Sequence, residues 1–337
     1  IYISSNYYET DDTGSSGGSG GDGSTENPTT FTLDGNYSHV EGIRNIATGN
    51  QSHVEGKDSI AQGDTAHAEG NSTSARGVHA HAEGSRTLAS GVDSHAEGFS
   101  TTASGNKSHS EGNTTKSLGE NSHSEGYEST ASGFSSHSEG YNTQATKEGS
   151  HAEGKYTVAS GDTSHSEGHM TNATGSFSHA EGNSSAAKGV GSHAEGTGNA
   201  ANGDDSHAEG NNNIVNGKQS HAEGNSNIVE AEASHAEGWK NKINVDAKYS
   251  HVNGVGLVAN DYAQTIIGRW NDNSPTGGDP NIFVVGGGTS ESNRKNIMSL
   301  TTDGDLYCSS TVRVGTNRKE LATKEYVDSK IVNRNDN

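Results

Sequence analysis

The sequence predicts an all-β fold in which the chain winds as a parallel solenoid of fourteen-residue coils. The first observation is a five-residue motif, SHAEG or a close variant, that returns every fourteen residues from residue 38 onward. Fixed-period self-similarity of this kind is typical of units that stack on their neighbours. The motif histidines are His39, His53, His67, His81, His95, His109, His123, His137, His151, His165, His179, His193, His207, His221 and His235.

The second observation is the composition. Only 26% of the 337 residues are hydrophobic and 47 are glycine, which is too little apolar material for an ordinary core. Such numbers are typical of disordered chains, but disorder does not need a motif held in register fifteen times. We therefore expect order that comes from backbone ladders and stacking.

The charge excludes some partners. The formal net charge is −21, and fifteen of the 43 acidic residues are motif glutamates, which leaves 28 acidic against 22 basic residues elsewhere. Charge-driven binding to nucleic acid or to an anionic membrane is disfavoured. No apolar run approaches the roughly 18 residues of a membrane helix, so we expect no membrane insertion. The single Cys308 excludes an internal disulfide framework, and we expect no cofactor.

In chain order, residues 1–30 are predicted to be a Gly/Ser-rich linker and residues 31–268 to form the solenoid. Each coil carries glycine three residues after the motif histidine and usually ten residues after it, as at Gly98 and Gly105 for His95 and Gly91 for His81. Because glycine reaches positive φ without penalty, we expect two corners per coil and two strands of four or five residues between them.

Alternation along the strands assigns their faces. Six residues after each motif histidine stands Asn, Ser or Thr, and eight after usually Ala, whereas the intervening positions vary, so one face of the second strand is core. On the first strand both faces are restricted: Ser and Ala on one side, His and Glu on the other. The small side suits the interior of a flat coil, which leaves His and Glu to face another chain. The pattern therefore predicts a homo-oligomer.

The pattern changes gradually at the end of the solenoid. A sixteenth copy at His251 arrives two residues late with Asn253 in the glutamate column, and QTIIG at 264–268 places Thr265 and Ile267 in the His and Glu columns. Residues 269–316 are predicted as a β-rich cap, with a strand at 281–286 and a hairpin across Asp303-Gly304. Residues 317–337 are predicted as a short helix, the start of a further module or coiled coil.

The repeat resembles the YadA-type head of trimeric autotransporter adhesins over roughly residues 37–268. The match lies in the period, in the Ser, Ala and Gly columns and in the apolar coil at 264–268; it departs where that family has Val and Ile and this chain has His and Glu. The resemblance implies a trimeric, left-handed parallel β-roll.

The segment from residue 282 to 331, with Ala322 to Asp328 reading ATKEYVD, resembles bacteriophage tail fibres and receptor-binding proteins that carry SHAEG-type rolls. This resemblance implies a non-enzymatic, homotrimeric tail-fibre segment in the extracellular virion that spaces or presents host-receptor binding. Its partners would be itself, neighbouring fibre modules and a glycan or protein on the host surface. The alternative is the head of a trimeric adhesin on a bacterial cell surface; the sequence shows no anchor segment, which favours the virus.

Histidine and glutamate two residues apart could form a metal site or an acid/base pair. An enzyme needs one special constellation, whereas this chain repeats an equivalent one, so a structural ladder between chains is favoured over a metal-dependent enzyme. In such a ladder, pairing would raise the histidine pKa and lower that of glutamate. Representative ladder residues are His95, Glu97, His109, Glu111, His123, Glu125, His137 and Glu139.

Two further features are weaker candidates for sites. His79 and His81 form an HxH pair, which could hold a transition metal in a trimer or could place a histidine at a corner by chance. Phe99, Tyr127 and Tyr141 each follow a motif glycine, and Tyr127 and Tyr141 should stack on adjacent coils. Exposed rings along an edge could contact a glycan, or could simply cover the edge between chains.

Overall fold

The structure is a computed structural model that describes residues 32–275 and 278–309, together with the backbone of two short strands at 313–314 and 319–320. The predicted all-β parallel solenoid is confirmed, with a small antiparallel hairpin at its end and no helix among these residues. Over the same residues, nothing has the helical length and apolarity that crossing a bilayer requires. The chain divides into two compact units, Ile1–Ala187 and Lys188–Asn337. The predicted linker at 1–30 lies outside the described residues.

In unit 1, each repeat contributes a long strand that starts at the motif histidine and a short strand that starts seven residues later. The long strands are His39–Ile43, His53–Lys57, His67–Asn71, His81–Ser85, His95–Phe99, His109–Asn113, His123–Tyr127, His137–Tyr141, His151–Lys155 and His165–His169, followed by the shorter His179–Ala180. The short strands are Thr32–Leu33, Ile46–Ala47, Ile60–Ala61, Ser74–Ala75, Leu88–Ala89, Thr102–Ala103, Lys116–Ser117, Thr130–Ala131, Gln144–Ala145, Val158–Ala159, Asn172–Ala173 and Ala186–Ala187.

Unit 2 uses the same coil. Its long strands are His193–Thr197, His207–Asn211, His221–Asn225, His235–Trp239, His251–Val255 and Thr265–Arg269. Its short strands are Ala200–Ala201, Ile214–Val215, Ile228–Val229, Lys242–Ile243 and Val258–Ala259. His251 pairs with His235, so the two extra residues before the sixteenth copy are absorbed in the loop at 244–250. Thr265 and Ile267 occupy the His and Glu columns, as predicted.

Strand pairing within each unit is parallel and in register with the repeat. In unit 1, His95 lies beside His109 and Glu97 beside Glu111. The long strand has the predicted length, but the expectation of a second strand of four or five residues was wrong, because that strand has only two. A corner with left-handed φ precedes the short strand and a glycine turn follows it, so few residues remain to pair with the neighbouring coils.

The interior is as narrow as the sequence predicted. Ala96 of a long strand and Ala103 of the following short strand are fully buried, and so is Thr101. Ser94, before the motif histidine, is buried and its hydroxyl donates to the carbonyl of Gly91 at 2.7 Å. Small side chains fill the space between the two strands of a coil, so burial of large apolar groups contributes little in unit 1.

A column of buried polar side chains joins the coils of unit 2. Asn227 Nδ2 donates to the carbonyls of Glu223 at 2.6 Å and Gly238 at 3.0 Å, and its Oδ1 accepts from the backbone N–H of Asn241 at 2.9 Å. Asn213 makes the same three contacts one coil earlier. Because every polar atom of the amide has a partner, this buried column stabilises the stack instead of costing desolvation energy.

The corners differ from the sequence prediction in an instructive way. The glycine three residues after the motif histidine has positive φ, 109° at Gly98, as expected. The glycine ten residues after does not; at Gly91 a Cβ would lie 2.0 Å from the carbonyl oxygen of Gly105 in the next coil. This glycine is therefore required for close approach of backbones. The left-handed corners are occupied mostly by other residues, such as Asp93 with φ of 56° and Ser100 with φ of 57°.

The end of unit 2 contains the predicted hairpin and one more parallel strand. Asn281–Gly287 pairs in parallel with Thr265–Arg269, with Phe283 beside Thr265, so the sheet extends beyond Gly268. Asn296–Thr301 then pairs antiparallel with Asn281–Gly287 and with Leu306–Cys308, which confirms the hairpin.

Of the predicted helix at 317–337, the structure describes only two residues. Lys319–Glu320 is a short strand paired antiparallel with Arg313–Val314. Residues 321–337 lie outside the described part of the chain, and there the helix stays a prediction.

Candidate functional site: the histidine and glutamate face

The motif His and Glu side chains share the outer face of the long strands, which we call the ladder face. Alternation along the strand directs Ala96 inward and therefore directs His95 and Glu97 outward. Parallel register then stacks each column on itself, coil after coil. The representative ladder residues predicted from the sequence, His95 to Glu139, all lie on this face in unit 1, and their predicted role between chains stays a prediction.

The imidazoles of unit 1 form a stacked row. The ring centroids of His95 and His109 are 4.8 Å apart with an interplanar angle of 5°, and those of His109 and His123 are 4.8 Å apart at 0°. This separation is the spacing of hydrogen-bonded strands, so the backbone ladder imposes it. The stack is ordered by the solenoid and not by the rings themselves.

Each imidazole lies beside the carboxylate of its own strand without a normal hydrogen bond. The Nε2–Oε2 distance is 3.9 Å for His95 and Glu97 and 3.5 Å for His137 and Glu139, beyond the 2.7–3.2 Å of an N–H···O bond. The Nε2 atoms of His95 and His137 are nevertheless shielded from solvent and have no hydrogen-bond partner. The ladder face thus presents a row of unsatisfied nitrogens, each of which costs desolvation energy.

Burial lowers the pKa of the His95 imidazole below its ordinary value, and the neighbouring His109 imidazole lowers it further, while Glu97 opposes the shift. The pKa values of His81, His109 and His151 are lowered by the same causes, with burial again the largest. Within one chain the carboxylate is too distant to outweigh burial between like rings. The raised histidine pKa that the sequence predicts belongs to pairing between chains, and it stays a prediction.

In unit 2 the ladder face has the same geometry and a distinct end. The Nε2–Oε2 distance is 3.6 Å for His207 and Glu209. Beyond Glu237, the late sixteenth copy supplies Asn253, whose Nδ2 donates to Glu237 Oε2 at 2.6 Å. Asparagine in the glutamate column thus replaces carboxylate repulsion with a hydrogen bond.

His79 and His81 do not belong to the same strand, so strand alternation does not direct their rings to one face. His79 lies in a left-handed corner with φ of 57°, and His81 begins the long strand. His79 Nδ1 lies 2.9 Å from the Asp93 carboxylate of the next coil, so that nitrogen already has a partner. The metal role of His79 and His81 in a trimer stays a prediction.

The predicted aromatic stack is confirmed. The rings of Tyr127 and Tyr141 are 4.9 Å apart and nearly parallel, at 8°. Tyr156, which the sequence analysis missed, packs edge-on against Tyr141 at 5.3 Å, and Lys155 Nζ lies 5.3 Å from the Tyr141 centroid. The sequence could have indicated Tyr156, because it lies only one residue further along its repeat than Tyr127 and Tyr141 do, at the left-handed corner.

These ring contacts bear on the glycan hypothesis. Phe99 is half-exposed, and the Arg86 guanidinium lies 5.4 Å from its ring centroid. Tyr127 and Tyr141 cover one face of each other, and Tyr156 and Lys155 also lie against Tyr141. A sugar that stacks on one of these covered faces would have to displace the neighbour there, and glycan contact at Phe99, Tyr127 and Tyr141 stays a prediction.

In comparison with known proteins, no protein-family model matches the chain, and no curated protein matches it.

Proposed function

We propose that this chain is a non-enzymatic segment of a homotrimeric phage tail fibre, which spaces or presents the part of the fibre that binds the host. The observation that carries the proposal is the ladder face. In a solenoid that stood alone, a row of shielded, unsatisfied imidazole nitrogens and a row of like carboxylates would both remain uncompensated.

The magnitude of this cost supports a shared interface. Two carboxylates 4.8 Å apart repel by about 0.9 kcal/mol even in bulk water. Each Nε2 without a partner adds on the order of 1 kcal/mol. Because both terms recur over coils such as those of His95 and His137, contact with identical ladder faces would satisfy them together. The number three comes from the resemblance to trimeric adhesin heads.

The repetition also supports a structural role over an enzymatic one. The His and Glu geometry is nearly constant from coil to coil, with Nε2–Oε2 distances of 3.7 Å at both His123 and His151. A catalytic centre requires a site unlike its surroundings, whereas a fibre requires a uniform one.

A mass measurement in solution tests the assembly. Light scattering on the untagged full chain, with a chelator present, should give three times the chain mass of 34.8 kDa. A folded monomer at micromolar concentration would contradict the proposal.

A matched pair of variants tests whether the ladder face is the interface. The first replaces four ladder imidazoles with alanine: His95, His109, His123 and His137. The control replaces four outer residues of the short strands in the same coils with alanine: Thr102, Lys116, Thr130 and Gln144. The ladder variant should dissociate while the control keeps the mass of the wild type. Equal masses for both variants would place the interface elsewhere.

The alternative is the head of a bacterial surface adhesin, and localisation separates the two. Antibodies against the chain should decorate the tails of virus particles in electron micrographs. Decoration of the bacterial surface in the absence of virus would favour the adhesin.

A further inference from the structure

We propose that the ladder face of unit 1 is a linear array of binding sites for divalent transition-metal ions, of which Zn²⁺ is the model. Each site consists of two motif histidines from successive coils and the glutamate of the first. Every ligand comes from one chain, so the inference does not rest on the proposed function. The clusters that carry it are His81, Glu83, His95; His95, Glu97, His109; His109, Glu111, His123; His137, Glu139, His151; and His151, Glu153, His165.

The ligand atoms of each cluster already lie together. In the first cluster, one atom each from His81, Glu83 and His95 falls within a mutual separation of 4.8 Å. At the tetrahedral angle that Zn²⁺ prefers, two nitrogens bound at about 2.0–2.1 Å lie about 3.4 Å apart. The two rings must therefore tilt towards each other until their nitrogens are up to about 1.4 Å closer, and the half-exposed side chain of Glu83 can follow.

The nitrogens also lack competing partners. The Nε2 atoms of His81 and His95 are shielded and have no hydrogen-bond partner. A metal ion binds imidazole through such a nitrogen. An ion would satisfy these nitrogens and would also neutralise the carboxylate row.

The donor set indicates the class of metal. Imidazole nitrogen with a single carboxylate oxygen suits Zn²⁺, Ni²⁺ and Cu²⁺, whereas Mg²⁺ and Ca²⁺ prefer oxygen ligands throughout. Three protein ligands leave at least one coordination position open. That position is filled by water in a single chain, or by a ligand from another copy where ladder faces meet.

The clusters share ligands, which limits how many can be filled at once. His95 belongs to the clusters that start at His81 and at His95, and its Nε2 can bind only one ion. An ion held by His81, Glu83 and His95 therefore excludes the next cluster but leaves the cluster starting at His109 available. We expect alternate clusters to fill, so that saturation does not exceed one ion for every two coils.

The experiment uses the untagged full chain, stripped with a chelator and dialysed. Zn²⁺ binding is measured by isothermal titration calorimetry, and bound zinc is counted by mass spectrometry after desalting. The test variant replaces five cluster glutamates with glutamine: Glu83, Glu97, Glu111, Glu139 and Glu153. The control makes the same change in charge at exposed acidic residues of unit 1 outside these clusters, by amide replacement of Asp64, Asp93, Glu120, Glu128 and Asp162.

The wild type and the control should bind Zn²⁺ alike, at no more than one ion per two coils, and the test variant should bind unit 1 ions at least tenfold more weakly. Mg²⁺ at the same concentration should not compete. The proposal fails if the wild type retains no zinc, if Mg²⁺ displaces it, or if the control loses as much affinity as the test variant. Saturation at one ion per coil would overturn the alternating occupancy. Because the mass of the assembly is measured with a chelator present, its outcome is independent of these results.

Discussion

Replacing Gly91 with alanine tests the conclusion that the second glycine column exists for close backbone approach. The new Cβ would lie 2.0 Å from the carbonyl oxygen of Gly105 and 2.5 Å from its carbonyl carbon. Ordinary contact begins near 3.4 Å, so the two coils would have to separate locally by about 1.4 Å. Neither atom belongs to a side chain that could move aside.

The cost can be worked out from the hydrogen bonds that hold the two coils together at this corner. The Ser90 N–H donates to Ala103 O at 2.8 Å, the Gly91 N–H to the same oxygen at 3.4 Å, and the His95 N–H to Ser108 O at 2.9 Å. A separation of this size takes all three beyond hydrogen-bond range. At about 1 kcal/mol each, the substitution should destabilise unit 1 by roughly 3 kcal/mol.

The matched control is Gly149→Asn. Gly149 occupies a left-handed corner with φ of 60°, and the equivalent corner two coils earlier is Asn121 with φ of 56°. A Cβ at Gly149 meets nothing closer than Thr163 Oγ1 at 3.5 Å. This variant should match the wild type to within about 0.5 kcal/mol, or exceed it, because it restricts the unfolded chain.

Denaturant unfolding followed by circular dichroism measures both variants, and hydrogen exchange reports where protection is lost. Gly91→Ala should lower the midpoint and expose amides near residues 88–108, since each coil packs only on its neighbours. If Gly91→Ala has the same denaturant midpoint as the wild type, or if Gly149→Asn lowers the midpoint as much as Gly91→Ala does, the close-approach argument is wrong.

Three further predictions concern the interior, the imidazole row and the aromatic edge. Asn227→Ala should lower the free energy of unfolding in denaturant by about 2–4 kcal/mol, because it leaves two carbonyls and the Asn241 N–H buried without partners. The exposed Asn216→Ala should lower it by less than about 1 kcal/mol, and equal losses would contradict the buried-amide account. The lowered pKa values of His81, His95, His109 and His151 belong to a ladder face that no other chain pairs with. For such a face without metal, the unfolded chain binds protons first, so stability is complete above about pH 6.5 and falls as pH drops through that value. Denaturant midpoints that rise on acidification from about pH 7.5 to 5.5 would instead indicate pairing between chains. Glycan-array binding should fall at least tenfold when Tyr127 and Tyr141 are both replaced by alanine and should persist in Phe134→Ala; unchanged binding by the double variant would remove the glycan role.

Much of the fold was predictable because the repeat fixes register. Once His95 and His109 are placed on neighbouring strands, alternation alone assigns Ala96 inward and Glu97 outward, and the structure confirms both. The late copy at His251 was also predictable, since a loop can absorb two residues more easily than a strand can change register.

The corners could not be predicted from residue type. Left-handed φ is usually the province of glycine, yet Asp93, Ser100 and Met170 adopt it here. Their conformations are imposed by ladders on both sides, which outweigh a local cost of about 1 kcal/mol per residue. The true glycine requirement at Gly91 arises from an atom fourteen residues away in sequence, so only the stacked structure reveals it.

The end of unit 2 shows that the coil itself does not require histidine and glutamate. The same columns that hold His235 and Glu237 hold Thr265 and Ile267 two strands later and Phe283 and Val285 in the strand after that, with the backbone still paired in parallel. Thr and Ile stack without like-charge repulsion and without an unsatisfied nitrogen, so they suit a solenoid better. A chain that keeps both imidazole and carboxylate through fifteen repeats accepts that cost in coils that could fold without it. We therefore expect the compensation to come from outside the coil, from identical chains, from bound ions or from both, and the mass and zinc measurements separate these sources.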